Sequence, residues 1–180
     1  MMADHERKCD TTLYLIVDTP YSKLTYDGVS NPQLFSEHPN TLIAHSFSKE
    51  LGLAGERIGF LAISPSAIHR EALQNAAAFT NRTLGFVNAP ALMQRAVERV
   101  VSSGNVTVDV AYYNRLRDRL LQGLRQAGYQ VTTPEGAFYL FPRTPIKDDI
   151  AFAQALAEEN VLVVPGSGFG RRGYIRIAYC

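Results

Sequence analysis

Three short apolar runs, Leu13–Asp18, Thr41–Ser46 and Gly59–Ser64, constrain the fold of this chain more than any other feature. They are continuous rather than alternating. Strands of that kind are buried on both faces, as in a parallel sheet covered by helices. The polar residues Asp18 and Ser46 at the C-terminal ends of the first two runs lie where open α/β sheets place ligand groups. Helical signals follow. Ser64-Pro65 reads as an N-cap with proline at the first helical position, and predicts a helix to about Phe79 with Ile68, Ala72, Leu73 and Ala76 inward. Asn88-Ala-Pro90 opens a second helix, with Leu92, Met93, Ala96, Val97, Val100 and Val101 on one face and Gly104 as its stop.

A longer amphipathic stretch comes next, with Val108, Tyr112, Leu116, Leu120 and Leu124 on one face and an end near Gly128. Beyond it the pattern changes. Tyr129–Thr133 and Ala137–Phe141 read as short strands around the turn Pro134-Glu-Gly136, and Asp148 and Asp149 cap a helix through Glu159. Val161–Val164 and Tyr174–Tyr179 are further predicted strands. The expected fold class is therefore α/β, in two parts. A mostly parallel sheet with flanking helices occupies residues 1–105, and a small α+β domain occupies 106–180, opening with a linking helix of about 106–127. The polar stub before the first strand and the bare strand at Cys180 suggest a piece of a longer chain.

Composition narrows the function classes. With 46% apolar residues, 19% charged residues and a net charge of +1, nothing asks for nucleic acid or a membrane surface. The opening residues are too polar for a secretory signal, and no apolar run approaches the length of a membrane span. Cys9 and Cys180 lack metal-ligand spacing and read as reduced thiols of a cytoplasmic protein. The four histidines are scattered, so no metal is expected.

The strongest chemical signal is His45-Ser-Phe-Ser-Lys-Glu-Leu-Gly-Leu-Ala-Gly-Glu-Arg-Ile-Gly59. A lysine lies between two predicted strands, with Ser46 and Ser48 just before it and Arg57 after a glycine-rich turn. Two hydroxyls and a planar guanidinium suit a phosphate group. A lysine beside a phosphate ester suggests capture of an aldehyde cofactor as a Schiff base. Most lysines in loops are merely solvated, and the motif has to outweigh that reading.

The motif closely resembles the cofactor-lysine motif of class I/II aminotransferases, the fold-type I enzymes that use pyridoxal 5'-phosphate (PLP). The resemblance implies that Lys49 is the Schiff-base lysine and that Ser46, Ser48 and Arg57 contact the phosphate. Asp18-Thr-Pro-Tyr21 resembles the family's upstream Asp-x-x-Tyr pair. Asp18 would keep the pyridinium nitrogen protonated, and Tyr21 would donate to the ring's phenolic oxygen. Burying Asp18 without the cofactor would destabilise the fold. Pro165-Gly-Ser-Gly-Phe-Gly170 leads into a strand and not a helix, so it is no dinucleotide fingerprint. Arg176, which follows it, resembles the fork for the substrate α-carboxylate. Glu135–Phe141 resembles a packing hairpin of the small domain. Arg82 lies where the family has its dimer interface, although a solvated arginine is the commoner case. Tyr26 and Tyr112 read as core or rim packing.

By this resemblance residues 1–105 are the later part of the large PLP-binding domain and 106–180 are the small C-terminal domain. The implied activity moves an amino group between an α-amino acid and a 2-oxo acid, in a homodimeric parent enzyme. Parts of the pocket, among them the phosphate turn and the aromatic stacked on the ring, would lie upstream of this chain. Two other readings stay open. One is a related fold-type I enzyme, such as a carbon–sulfur lyase or decarboxylase; the other is a catalytically incomplete binding or dimerisation module.

Overall fold

The computed structural model describes residues 2–104 and 106–180, and divides into two compact units. The first comprises Met1–Ser22 with Ser30–Val108, and the second Lys23–Val29 with Asp109–Cys180.

The first unit opens with α1 (Met2–Cys9) and continues through β1 (Leu15–Asp18), α2 (Leu34–Glu37), β2 (Thr41–Ser46), α3 (Phe47–Glu50) and β3 (Gly59–Ile63). All three apolar runs form strands, in the order β1-β2-β3. β1 runs parallel to β2, Leu15 opposite Thr41 and Asp18 opposite Ala44. β3 is antiparallel to β2, where the sequence led us to expect a mostly parallel sheet. The twelve residues between Ser46 and Gly59 are taken up by α3 and a 3-10 turn at Ala54–Glu56, which leaves no helix long enough to carry the chain back across the sheet for a parallel return. Gly59 makes the close approach possible, because a Cβ there would lie 2.2 Å from the His45 carbonyl oxygen.

Two helices follow in this unit, α4 (Arg70–Thr83) and α5 (Ala91–Ser102). The predicted start of α4 at Ser64-Pro65 is wrong. Ser64 Oγ instead accepts from the Ser66 N–H at 3.3 Å, forming a turn, and the helix begins only after His69 in the left-handed conformation. α4 buries none of its residues, so its predicted inward face is uncovered here. α5 buries Val97, which joins Phe47 and Ile58 in a small core with Leu51, Leu53, Ala89 and Met93 packed around it. Its other predicted inward residues do not all follow, and Leu92 is 77% exposed. Ile16 on β1 is likewise 69% exposed, so the strand is covered on one face only.

The second unit is built on α6 (Val110–Gln126), β4 (Tyr139–Leu140), α7 (Asp149–Glu158), β5 (Val164–Pro165) and β6 (Ile175–Ala178). The strands form an antiparallel sheet with β6 central, in the order β4-β6-β5. Tyr129–Thr133 is irregular rather than the predicted strand, and Val161–Val163 precedes its strand instead of forming it. α6 begins where the Asp109 carboxylate accepts the Tyr112 N–H at 2.8 Å. Its buried face is shifted from the predicted one: Arg117 and Leu121 are buried, whereas Tyr112 is exposed. Asp148 caps α7 as predicted, accepting from the Ile150 and Ala151 N–H groups.

Lys23–Val29 joins this unit although the sequence assigns it to the first part. Its main chain pairs with the turn before β4, through Tyr26 N–H to Glu135 O at 2.8 Å and Ala137 N–H to Leu24 O at 2.9 Å. Leu24 and Tyr26 are buried with Phe138, Leu140, Ile175 and Tyr179. The Tyr26 and Tyr179 hydroxyls both donate to the Ala137 carbonyl, and burial pushes both phenols above their ordinary range. Tyr26 is thus a core residue, as read from the sequence.

Candidate active site

The predicted cofactor contacts of the first unit gather at the C-terminal ends of β1 and β2. β2 ends at Ser46, whose hydroxyl accepts the Ser48 N–H at 3.2 Å and lies 2.7 Å from the Ser48 hydroxyl. Two hydroxyls are thereby presented side by side. Lys49 is exposed in the turn of helix that Ser46 caps, with its Nζ 6.0 Å from the centre of the Tyr21 ring. Tyr21 follows β1 by a short turn whose Thr19 N–H donates to Ala44 O at 2.9 Å. The structure therefore brings Ser46 to Ser48 and Lys49 to Tyr21.

Asp18 closes β1 opposite Ala44 and is exposed. In this chain its carboxylate carries no burial penalty, which corrects the expectation that it strains the fold by itself. Arg57 is exposed, in the left-handed conformation at φ 51°, and its Nη1 donates to the Ala54 carbonyl at 2.9 Å. Its guanidinium closes its own turn. The main-chain pairing Phe47 N–H to Ile58 O at 3.1 Å still sets that turn alongside the lysine.

In the second unit Arg176 lies on the central strand β6, opposite Val164. Its guanidinium sits between two aromatic rings, 4.5 Å from the centre of Tyr139 and 4.3 Å from that of Phe169. Rings packed over a guanidinium leave its N–H edge as the part suited to a carboxylate. Asp149 shapes the approach to this strand. Its buried carboxylate accepts the Ser167 N–H at 2.7 Å and the Gly173 N–H at 3.2 Å, and these bonds, that to Ser167 foremost, hold its pKa below the usual carboxylate range. Gly166 fits the same loop because a Cβ there would meet the Arg171 carbonyl oxygen at 2.3 Å.

A cleft of about 480 Å³ in the first unit is lined by residues including Phe47, Phe60 and Val97, and one of about 880 Å³ in the second unit by residues including Arg143, Arg171 and Tyr174. Neither of these two clefts includes Asp18 or Lys49, both of which are exposed. The donor set nonetheless fits a phosphorylated aldehyde on a basic aromatic ring: paired hydroxyls, an exposed amine, and a carboxylate at a strand end.

The comparisons with known proteins decide the family. The aminotransferase class I and II profile matches residues 7–180. The chain belongs to the aminotransferase class I and II family. Members of this family use pyridoxal 5'-phosphate. An aspartate aminotransferase of Pyrococcus horikoshii is 30% identical over 177 residues, covering 94% of this chain and 44% of that protein. An aromatic-amino-acid aminotransferase of Thermococcus litoralis is 32% identical, covering 93% of this chain and 44% of that protein. Among solved structures, an aminotransferase from Eubacterium rectale superposes with a TM-score of 0.88 at 36% identity, covering 99% of this chain and 44% of that one. The chain thus spans less than half the length of the relatives it matches. Among the described residues no helix is long and apolar enough to cross a membrane.

Sequence reasoning passed over two residues of this aminotransferase segment. His45 and Glu50 lie inside the lysine motif, yet received no role because neither is a phosphate or ring contact.

Proposed function

We propose that this chain is the lysine-bearing part of a PLP-dependent aminotransferase that moves an amino group between an α-amino acid and a 2-oxo acid. The observation that carries this reading is local: Lys49 follows a hydroxyl pair, Ser46 and Ser48, 2.7 Å apart, and stands over Tyr21. Ser46, Ser48 and Arg57 would hold the phosphate, and Lys49 would present its amine to the aldehyde. Asp18 would pair with the ring nitrogen and keep it protonated, while Tyr21 would donate to the ring's phenolic oxygen. The bound cofactor supplies an electron sink for the substrate carbon that loses its proton. Lys49 would take that proton and return it as general base and acid. Arg176 grips the α-carboxylate in the plane its two flanking rings define.

Residues 106–180 are read as the small C-terminal α+β domain and residues 1–105 as part of the large PLP-binding domain. The parent enzyme is read as a cytoplasmic homodimer, in keeping with the free thiols of Cys9 and Cys180. The matched relatives are named for aspartate, for aspartate and prephenate, and for aromatic amino acids. The substrate proposal accordingly stops at the α-amino acid class.

The test is borohydride reduction of the full-length protein with PLP, then digestion and mass analysis. A pyridoxyl adduct on Lys49, with keto-acid-dependent amino transfer before reduction, supports the reading. An adduct elsewhere, or none, sinks it. Release of ammonia and pyruvate without an acceptor would assign the lysine to a lyase instead.

A further inference from the structure

His45 is held at both ring nitrogens. Its Nδ1 lies 3.0 Å from the Thr19 carbonyl oxygen and 3.1 Å from the Thr19 hydroxyl, and its Nε2 lies 3.1 Å from Glu50 Oε1. Both side chains of the His45–Glu50 pair are withdrawn from water, at 8% and 5% exposure. The imidazole also stacks on Phe60, its partner across the β2–β3 ladder, with centroids 4.9 Å apart, and meets Phe47 edge-on at 5.2 Å.

The partners dictate the hydrogens. A carbonyl oxygen only accepts, so Nδ1 carries a hydrogen toward Thr19. Nε2 faces a carboxylate oxygen, and a single proton lies between them, whichever atom holds it. Each end of the ring is therefore committed, and both ends are attached to site elements. Thr19 directly follows Asp18, and Glu50 directly follows Lys49. Side chains alternate along a strand, so His45 points away from the face that Ser46 occupies. The tie runs behind the hydroxyls and leaves their face open.

We propose that His45 and Glu50 are positioning residues for Lys49. They fasten the lysine turn to the end of β1, so that the amine is set relative to Asp18 and Tyr21 before the cofactor arrives. Within this turn Phe47 is anchored in the core while Lys49 is exposed, so a tie at Glu50 adds a second fixed point on the other side of the lysine. The imidazole's hydrogen-bond contacts, two to Thr19 and one to Glu50, supply that constraint. The inference rests on the proposed function, since it assigns a purpose to the position of Lys49.

The experiment uses the full-length protein and a double variant, His45→Phe/Glu50→Met. It keeps a ring between Phe47 and Phe60, removes both polar partners together, and so strands neither. Thermal unfolding and borohydride capture of PLP at Lys49 are measured side by side, with the wavelength of the cofactor band as a third readout. The expected result is an unfolding midpoint close to the parent's, capture at Lys49 slowed about ten-fold, and a shifted band. Glu50→Gln alone, which still reaches Nε2, should recover capture to within a few-fold. Capture and band like the parent's in the double variant overturn the proposal, as does loss that only tracks unfolding. An adduct missing from the parent's Lys49 overturns the functional reading and the positioning role with it. An adduct present in the parent and equal in the variant overturns the positioning role alone.

Discussion

Arg117 holds Asp27 in a two-point fork, Nη1 to Oδ2 at 2.7 Å and Nη2 to Oδ1 at 3.2 Å, across 90 positions of chain. The arginine side chain is buried while the aspartate is half in water. The same guanidinium reaches Asp118 and the Pro134 carbonyl, and lies 4.6 Å from the centre of the Tyr26 ring. Its fork holds the Asp27 carboxyl below the usual carboxylate range. One cation thus secures Lys23–Val29, the turn before β4 and α6 to one another.

Replacing Arg117 by Met should lower the stability of the second unit by about 1–3 kcal/mol, because the clasp is lost while the stem is kept. Urea unfolding followed by tyrosine fluorescence measures it. Asp27→Asn should cost less, since Asp118 and Pro134 still satisfy the buried cation. Equal losses in the two variants would contradict the clasp.

Asp149 ties stability to acid. Its pKa is lowered in the folded state, so it stabilises the fold above the ordinary carboxylate pKa. That contribution disappears as the pH falls through the depressed value, below about pH 4. Thermal melts between neutral and strongly acidic pH should show the loss, and Asp149→Asn should flatten that part of the curve while lowering stability at neutral pH.

Gly59→Ala should disturb the lysine turn from across the sheet. The added methyl would sit 2.2 Å from the His45 carbonyl oxygen, and backbone must move to admit it. A destabilisation of about 1–3 kcal/mol is expected, together with weaker PLP capture by Lys49 in the full-length protein. Gly55→Ala, with open space at its Cβ, is the matched control and should leave capture unchanged.

Arg176→Lys keeps the charge but loses the planar fork held between Tyr139 and Phe169. In the full-length enzyme the KM for the amino acid should rise about 10- to 100-fold, with cofactor capture intact. Steady-state kinetics beside borohydride trapping separate these two effects.

Much of the candidate site was legible because its proposed chemistry is contiguous. Ser46, Ser48, Lys49 and Arg57 occupy one motif, and Ser46 bonds to Ser48 through a cap that local spacing alone can set. Asp18 and Tyr21 were legible as a strand end and its following turn. His45 and Glu50 were not, because a histidine and a glutamate five residues apart on a strand and turn show nothing of the Thr19 carbonyl that fixes one end. The predicted faces of α4 and α5 failed for a related reason. Periodicity reports which side of a helix is apolar, and only packing decides whether anything covers it.

By itself the sequence determined the three apolar strands, the helix cap at Asp148, the lysine motif and, through that motif, the family. These are matters of local spacing, backbone propensity and side-chain chemistry, which neighbours in the chain can settle. The tertiary structure alone decided that β3 turns back antiparallel, that Lys23–Val29 packs with residues 109–180, that a buried Arg117 lies on the inner face of α6, and that His45 joins the residue after Asp18 to the residue after Lys49. Each of these depends on a hydrogen bond or a steric limit between residues distant in sequence, and no local pattern records which partner will be there.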